Sequence, residues 1–403
     1  MAADDASIHT TADQWPSLMA ALLGMVYARL PSPADRVRFA AVCTSWRIFA
    51  STYPSRPVLP WMMLNPRSGD DTKSVYCPDD GIVLERILIR SEAAAGYYIG
   101  GYDGGWVASS DAPPRIVNLF SGKEVAFSPA QSRTIRAQQS TGERLFLRKV
   151  IFSEAPTSSG CILAAITDKL SVAICRVGYL EGGWKIREFH GDERIMDITF
   201  YNGELYGLER YSNLIVKLNI GMNKDGGAMI TSIQKLYMQR KYHWRGPDEY
   251  PRYIVELHGK LVMVEGTPWR WWRNITKPFF TVHELISYKT GAALTYQWVE
   301  LRCLGDYALF VGPTYSKSVS VPMDGCGGVK RNHIYYSYHL CLRQDDQVPD
   351  GAIKFLSSSD DEGERVYYSK EDGTGNNVEA IMSVRYFVRS GVHPPMWLLP
   401  PDI

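Results

Sequence analysis

The sequence predicts an α+β chain of two domains, a short three-helix unit followed by an all-β propeller. Three observations predict it. From Trp15 to Tyr53 apolar residues recur at three- and four-residue steps, and nowhere later do they do so for long. Beyond Pro60 the apolar runs are short, alternating or continuous, and broken by glycine. Those runs fall into a repeated unit of turn, strand, short gap and second strand, recurring at roughly forty to fifty-five residues, the range of propeller blades.

The helical unit comes first. Leu18, Leu22, Leu23, Val26 and Leu30 lie on one face of a first helix, which Pro31 ends. Ser32-Pro33-Ala34-Asp35 opens a second helix. Ser32 can cap it, Pro33 suits its first position and Asp35 completes a capping box. Val37, Ala41 and Val42 are expected to continue the buried face, and Val42, Trp46 and Phe49 to carry it into a third helix. Arg36, Arg38 and Arg47 are expected to face water. Three short helices over roughly forty residues bury little surface, so such a unit leans on a neighbouring domain or a partner. Periodicity alone reads as a cap packed on the large domain; the alternative is a docking module whose leucines enter a partner's groove.

The strands follow the loop around Pro54 to Pro60. Six first strands are expected at Trp106–Ala108, Cys161–Ala164, Glu204–Tyr206, Lys260–Met263, Tyr307–Phe310 and His333–Tyr336. Their partners are expected at Ile116–Leu119, Val172–Cys175, Ile215–Leu218, Thr281–His283, Ser318–Ser320 and Arg365–Tyr368. Turns follow most of them, at Ser121-Gly122-Lys123, Asp225-Gly226-Gly227, Thr290-Gly291 and Asp372-Gly373. A pair of β-sandwiches is the alternative, but several similar units in series favour a propeller, whose neighbouring blades shield the edges of so many short strands. Closure of the ring is expected to bring Met396-Trp397-Leu398-Leu399 against the segment from Trp61 to Leu64.

Composition narrows the function. The chain has 44 basic and 43 acidic residues, a balance that argues against a general polyanion binder and so against nucleic acid. Its 7 cysteines are odd in number and form no Cys-x-x-Cys pair, which fits a reducing compartment better than a disulfide scaffold. Met1 to Gln14 contains no apolar run, as a signal peptide would, and no stretch has the apolar length of a membrane helix. A soluble protein of the cytoplasm, the nucleus or both is expected.

Catalytic motifs are not found. The sequence has no phosphate-cradling P-loop, no Gly-x-Ser-x-Gly elbow and no His-Glu-x-x-His helix, so no catalytic residue, metal or cofactor is assigned. Gly100 to Gly105 is glycine-rich but precedes Trp106 and a strand, which reads as a blade turn. His333, His339 and Cys341 would share a strand face, yet a fourth ligand is not evident and the spacing is unlike a zinc site. One segment stands out: Trp244 and Arg245, then Trp269, Arg270, Trp271, Trp272 and Arg273, interleave aromatic and basic side chains. They read either as loop anchors on the core or as a patch that recognises a protein target, since Trp and Arg dominate binding hot spots. Stacking on nucleic acid is a third reading.

The helical segment also resembles a known family. Leu18-Met19-Ala20-Ala21-Leu22-Leu23, Arg29-Leu30-Pro31-Ser32, Asp35-Arg36-Val37-Arg38, Val42-Cys43 and Trp46-Arg47 resemble the F-box of grass proteins. Met19 and Ala21 depart from that pattern, which has proline and glutamate there. Further blocks resemble the plant F-box family with a KIB-type propeller: Pro60 to Leu64, Asn202 to Leu208, Ile254 to Leu261, Leu304 to Phe310, Asn332 to Ser337 and Met396 to Pro401. The resemblance implies an F-box at residues 15–53 and a propeller of kelch-like blades at 57–403. It implies that Leu18, Leu22, Leu23, Val26, Leu30, Pro31, Val42, Cys43 and Trp46 bind a Skp1-type adaptor and, through it, a cullin-RING ubiquitin ligase. The propeller would then hold a target protein without catalysis of its own. A propeller enzyme or ligand binder, and an F-box chain that assembles no ligase, stand as alternatives.

Overall fold

The structure, a computed structural model, describes residues 15–30, 33–52, 58–64, 72–78, 82–88, 97–109, 115–132, 146–179, 182–236, 238, 251–266, 280–290, 293–323, 328–338, 353–358, 365–372, 380–389 and 395–401. Helices α1 (Trp15–Ala28), α2 (Pro33–Ala41) and α3 (Thr44–Thr52) come first. Pro33 opens α2, where the fixed φ of proline suits the first turn and its missing N–H costs nothing.

The helices close on a small core of Leu23, Tyr27, Phe39 and Ala50, with Leu30, Ala40, Trp46 and Phe49 packed against it. The Phe39 ring lies 4.3 Å from Trp46 and 5.2 Å from Tyr27, centroid to centroid. This core differs from the expected face. Leu22 and Val26 are exposed at 52% and 46%, and Val42 at 60%. Ala41 is exposed as well. Helix α1 carries two apolar stripes, and the one with Tyr27 turns inward, where its ring removes more apolar surface from water. Arg36 also departs from expectation. It is buried, its Nε–H donating to the Leu30 carbonyl at 3.4 Å and its guanidinium 5.9 Å from the Tyr27 ring centre. Arg38 and Arg47 are exposed.

Five four-stranded antiparallel sheets form the blades of a propeller, and a six-stranded mixed sheet stands with them. Blade 1 joins β1 (Trp61–Leu64), β2 (Thr72–Cys77) and β3 (Ile82–Leu88) to the last strand of the chain. Blade 2 is β4 (Tyr98–Tyr102), β5 (Trp106–Ser109), β6 (Ile116–Asn118) and β7 (Glu124–Val125). Blade 3 is β8 (Leu147–Phe152), β9 (Ile162–Thr167), β10 (Val172–Arg176) and β11 (Lys185–Arg187). Blade 4 is β12 (Ile195–Tyr201), β13 (Glu204–Glu209), β14 (Ile215–Met222) and β15 (Ala228–Lys235). Blade 5 is β16 (Arg252–Leu257), β17 (Lys260–Gly266), β18 (Phe280–Thr290) and β19 (Ala293–Leu301). The sixth sheet holds β20 (Tyr307–Val311), β21 (Lys317–Ser320), β22 (His333–Tyr338), β23 (Ile353–Ser358), β24 (Arg365–Asp372) and β25 (Met382–Arg389).

The last strand, β26 (Met396–Leu398), pairs antiparallel with β1: Trp61 stands opposite Leu398, Met62 opposite Trp397 and Met63 opposite Met396. The two ends of the propeller are thus laced into one blade, at the segments where the apolar termini predicted it. Five of the six expected hairpins form, as β5–β6, β9–β10, β13–β14, β17–β18 and β20–β21. The sixth does not. β22 runs parallel to both β20 and β25, whereas β24 pairs with β23 and β25.

Turn chemistry accounts for the hairpins. Asn202-Gly203 links β12 to β13 with φ of 49° and 76°, and His258-Gly259 links β16 to β17 with 49° and 71°. Two successive positive φ values make the tight turn whose twist matches paired strands. The expected blade turn after Gly100 and Gly101 is also present, at residues 103–105 between β4 and β5. Apolar layers fill the gaps between neighbouring sheets, as where Ile99 and Ile116 of blade 2 meet Val150 and Leu163 of blade 3. Strands such as β9 and β10 are covered on both faces, so they read as apolar runs rather than alternations.

Candidate functional site

The first strands of blades 3, 4 and 5 line the propeller axis, and each carries a charge within an apolar stretch. Lys149 sits in β8, Asp197 in β12 and Arg252 in β16. The Lys149 ammonium donates to Asp197 Oδ1 at 2.5 Å, with both side chains almost wholly buried. Asp197 Oδ2 accepts the Ile254 N–H at 2.8 Å, and Oδ1 accepts the Ile198 N–H at 2.9 Å. One carboxylate therefore ties three blades together. Burial pushes the Asp197 carboxyl up, against the Lys149 ammonium and the two backbone N–H groups that favour its charged form.

Cavities open on either side of this pair. The larger, about 420 Å³, is lined by Tyr97, Arg148, Lys149, Asp197, Arg210 and Arg252 among others. Arg252 Nη1 donates to the Ser212 carbonyl at 2.6 Å, and Nη2 donates to the Arg210 carbonyl. Burial lowers the Arg252 pKa, which Glu265 opposes. The second cavity, about 390 Å³, is lined by Asp103, Lys149, Glu256, His258, Tyr307 and Lys317 among others. Here Asp103 is occupied on both oxygens, accepting the Tyr315 hydroxyl at 2.9 Å and the Lys317 ammonium at 2.5 Å. His258 Nδ1 lies 2.7 Å from the Tyr307 hydroxyl. Both cavities fall in the size range of small-ligand pockets.

The helical unit presents a different surface. Of the residues expected to bind an adaptor, Leu22, Val26, Val42 and Cys43 are exposed, Leu30 and Trp46 are half-buried, and Leu23 belongs to the helical core. Leu18 is placed on α1 only by its backbone, and Pro31 lies outside the described residues. Met25 and Ile48, which sequence reasoning missed, are exposed at 52% and 60%. Periodicity was the available signal, because Met25 is three residues beyond Leu22.

Trp244, Trp269, Arg270, Trp271, Trp272 and Arg273, the residues expected to meet a target, all lie outside the described residues, as do His339 and Cys341. His333 is buried, with Nε2 3.0 Å from Glu371 and Nδ1 2.7 Å from the Arg331 carbonyl. The axial Lys149, Asp197 and Arg252 were also missed. Their signal was present only in part, since each is a charge near the start of a largely apolar strand, but Arg148 adjoins Lys149 in β8 and Glu256 shares β16 with Arg252.

Comparison with known proteins adds a family. The model of the KIB1-4 beta-propeller matches residues 75–369. No curated protein matches the chain. Among solved structures, the N-terminal domain of Nup159 is similar at 10% identity and a TM-score of 0.29, over 87% of this chain and 77% of that one. An exo-beta-1,3-galactanase from Clostridium thermocellum, 1,3Gal43A, is similar at 9% identity and a TM-score of 0.26, over 84% of this chain and 60% of that one.

Proposed function

The chain belongs to the KIB1-4 beta-propeller family, a protein-interaction scaffold, and from that premise we propose that it is the substrate-recognition subunit of an SCF-type (Skp1–cullin–F-box) ubiquitin ligase. The helical unit docks a Skp1-type adaptor, and the propeller holds the target protein. The subunit does no chemistry itself; it raises the effective concentration of target near the ubiquitin-loaded enzyme. It works in the cytoplasm, the nucleus or both. Consistent with this, Cys43, Cys77, Cys161, Cys175 and Cys303 are free thiols, and no helix among the described residues is long and apolar enough to cross a membrane.

The observation that carries the proposal is the exposure of Leu22, Met25 and Val26 on α1, together with Val42 after α2 and Ile48 on α3. The helical core closes without them, so they are available for a partner's apolar groove. Because Leu22 is exposed and Leu23 is buried, the two leucines separate docking from folding. Leu22→Asp with Val26→Asp should leave the helical content of the full chain unchanged and abolish capture of a Skp1-type adaptor, since charges cannot enter an apolar groove without large cost. Leu23→Asp should instead unfold the helical unit. The ligase reading fails if the wild-type chain binds no adaptor in pull-down or calorimetry while a control F-box does. At the propeller end, Trp269→Ala or Arg270→Ala should weaken target recruitment in plant cells with little change in melting temperature. Intact recruitment in both variants would remove that loop from the target site.

The departures at Met19 and Ala21 favour a second reading, an F-box chain that assembles no ligase. The same capture experiment distinguishes it.

A further inference from the structure

We propose that the second axial cavity, the one beside Asp103, binds a neutral carbohydrate, an inference independent of the ligase reading. Five sheets wall it, through Tyr102 of β4, Ile151 of β8, Phe200 of β12, Glu256 of β16 and Tyr307 of β20. Charge is the first feature that selects the ligand. Both lysines of the lining are paired, Lys149 with Asp197 at 2.5 Å and Lys317 with Asp103 at 2.5 Å. No arginine lines the cavity, so an anion finds no unpaired Lys or Arg there. One carboxylate, that of the exposed Glu256, is left over. A single exposed carboxylate holds a cation weakly, but it is a strong acceptor for a hydroxyl.

A second observation points the same way. Unengaged hydrogen-bonding groups stand in this lining next to rings. Among the described residues the Glu256 carboxylate and the hydroxyls of Tyr102 and Ser318 make no hydrogen bond, and His258 uses only Nδ1, toward the Tyr307 hydroxyl. The rings of Tyr102, Phe200 and Tyr307, all half-buried, line the same space. A sugar presents hydroxyls around its edge and apolar C–H groups on its faces, so it needs donors, acceptors and aromatic surface together. The volume of about 390 Å³ admits a mono- or disaccharide. The carbohydrate can come from two sources, a free sugar or a sugar carried on a side chain of a partner protein.

The test is calorimetric titration of the full chain with glucose, galactose, xylose, N-acetylglucosamine, cellobiose and lactose. A serine peptide bearing O-linked N-acetylglucosamine is titrated beside its unmodified form, and arginine amide serves as a cationic probe. Saturable binding of a free sugar supports the site with a free ligand. Binding of the glycosylated peptide alone, and not of its unmodified form, supports it with a carried one. Glu256→Ala should weaken whichever binding is found by about 10-fold or more, as loss of a charge-assisted hydrogen bond does. Tyr102→Phe, which keeps the ring, should weaken it by about 2- to 10-fold. Both changes should leave the melting temperature of the ligand-free chain in place, because Glu256 is exposed and the Tyr102 hydroxyl has no partner among the described residues. Arg148→Ala, at the other cavity, should leave binding unchanged. The proposal is overturned if no sugar and neither peptide saturates, if both peptide forms bind equally, if arginine amide binds more tightly than every sugar, or if Glu256→Ala binds as tightly as the wild type.

Discussion

Replacing Trp397 with alanine probes the closure of the propeller at its most heavily committed side chain. Trp397 is fully buried, at 0% exposure, in the short strand that laces the end of the chain to β1. Its ring meets Phe310 edge-on at 5.0 Å and Tyr386 at 5.4 Å, and Nε1–H donates to the Val311 carbonyl at 3.2 Å. Truncating a core Trp to Ala costs about 3–5 kcal/mol through lost transfer energy and the cavity left behind. Aromatic pairs are worth about 0.5–1.5 kcal/mol each beyond burial. An orphaned buried carbonyl adds about 1–3 kcal/mol. These contributions overlap, so the loss belongs at the upper end of the truncation range, about 5 kcal/mol, against a total stability of about 5–15 kcal/mol. In a propeller of this length that corresponds to a fall in melting temperature of roughly 5–10 °C. Circular dichroism melts of the full chain measure it, with Met323→Ala, at an 80% exposed position, as the control that should barely move. Deleting residues 394–403 should lower the melting temperature further, because β1 then keeps only β2 and loses its pairing with β26 at Trp61, Met62 and Met63. If Trp397→Ala melts with the Met323→Ala control, the terminal strand does not hold the ring closed and the reasoning is wrong.

Two other perturbations test how the blades meet. A Cβ on Gly100 would stand 1.9 Å from the Val150 carbonyl oxygen, a backbone atom in the next blade, so Gly100→Val should destabilise the propeller by several kcal/mol, on the order of the severe overpacking cases. Urea unfolding measures this, and a midpoint equal to that of wild type would mean that blades 2 and 3 do not approach so closely. Lys149→Met strands the buried Asp197 carboxylate and should cost about 3–5 kcal/mol, whereas adding Asp197→Asn should restore much of the loss. If the single change costs no more than an exposed ion pair does, about 1 kcal/mol, the axial staple is not holding three blades together.

Much of the fold was legible because hairpin partners are joined by turns with recognisable chemistry. Ser121-Gly122-Lys123 and Asp225-Gly226-Gly227 mark chain reversals, and Gly122 and Gly226 have φ of 70° and 83°. The expected pairing of His333–Tyr336 with Arg365–Tyr368 failed for the complementary reason. β22 takes parallel neighbours on both sides, and parallel strands share no turn that could announce them. In the helices, periodicity found Leu22, Leu23 and Val26 of α1 but missed Met25 and Tyr27, and did not decide which stripe faces inward. That was decided by Phe39 and Ala50, whose positions against Leu23 and Tyr27 come from α2 and α3. Arg36 could not be placed by its charge, because a guanidinium lies buried when a ring and a carbonyl are there to receive it.

By itself, then, the sequence determined where the helical unit ends, which segments become the paired strands of five hairpins, and which apolar ends close the ring. Those are local properties or matches between short segments, set by side-chain period, turn conformation and the need to cover a terminal strand. Only the tertiary structure decided what stands at the axis. Lys149, Asp197 and Arg252 are separated in the chain by whole blades, and nothing in any one strand says that they meet. Circular closure brings their strands side by side, where Lys149 and Asp197 offset each other's desolvation and Arg252 reaches the carbonyls of Arg210 and Ser212. Such a meeting depends on the curvature of the ring, a property that no stretch of residues carries alone.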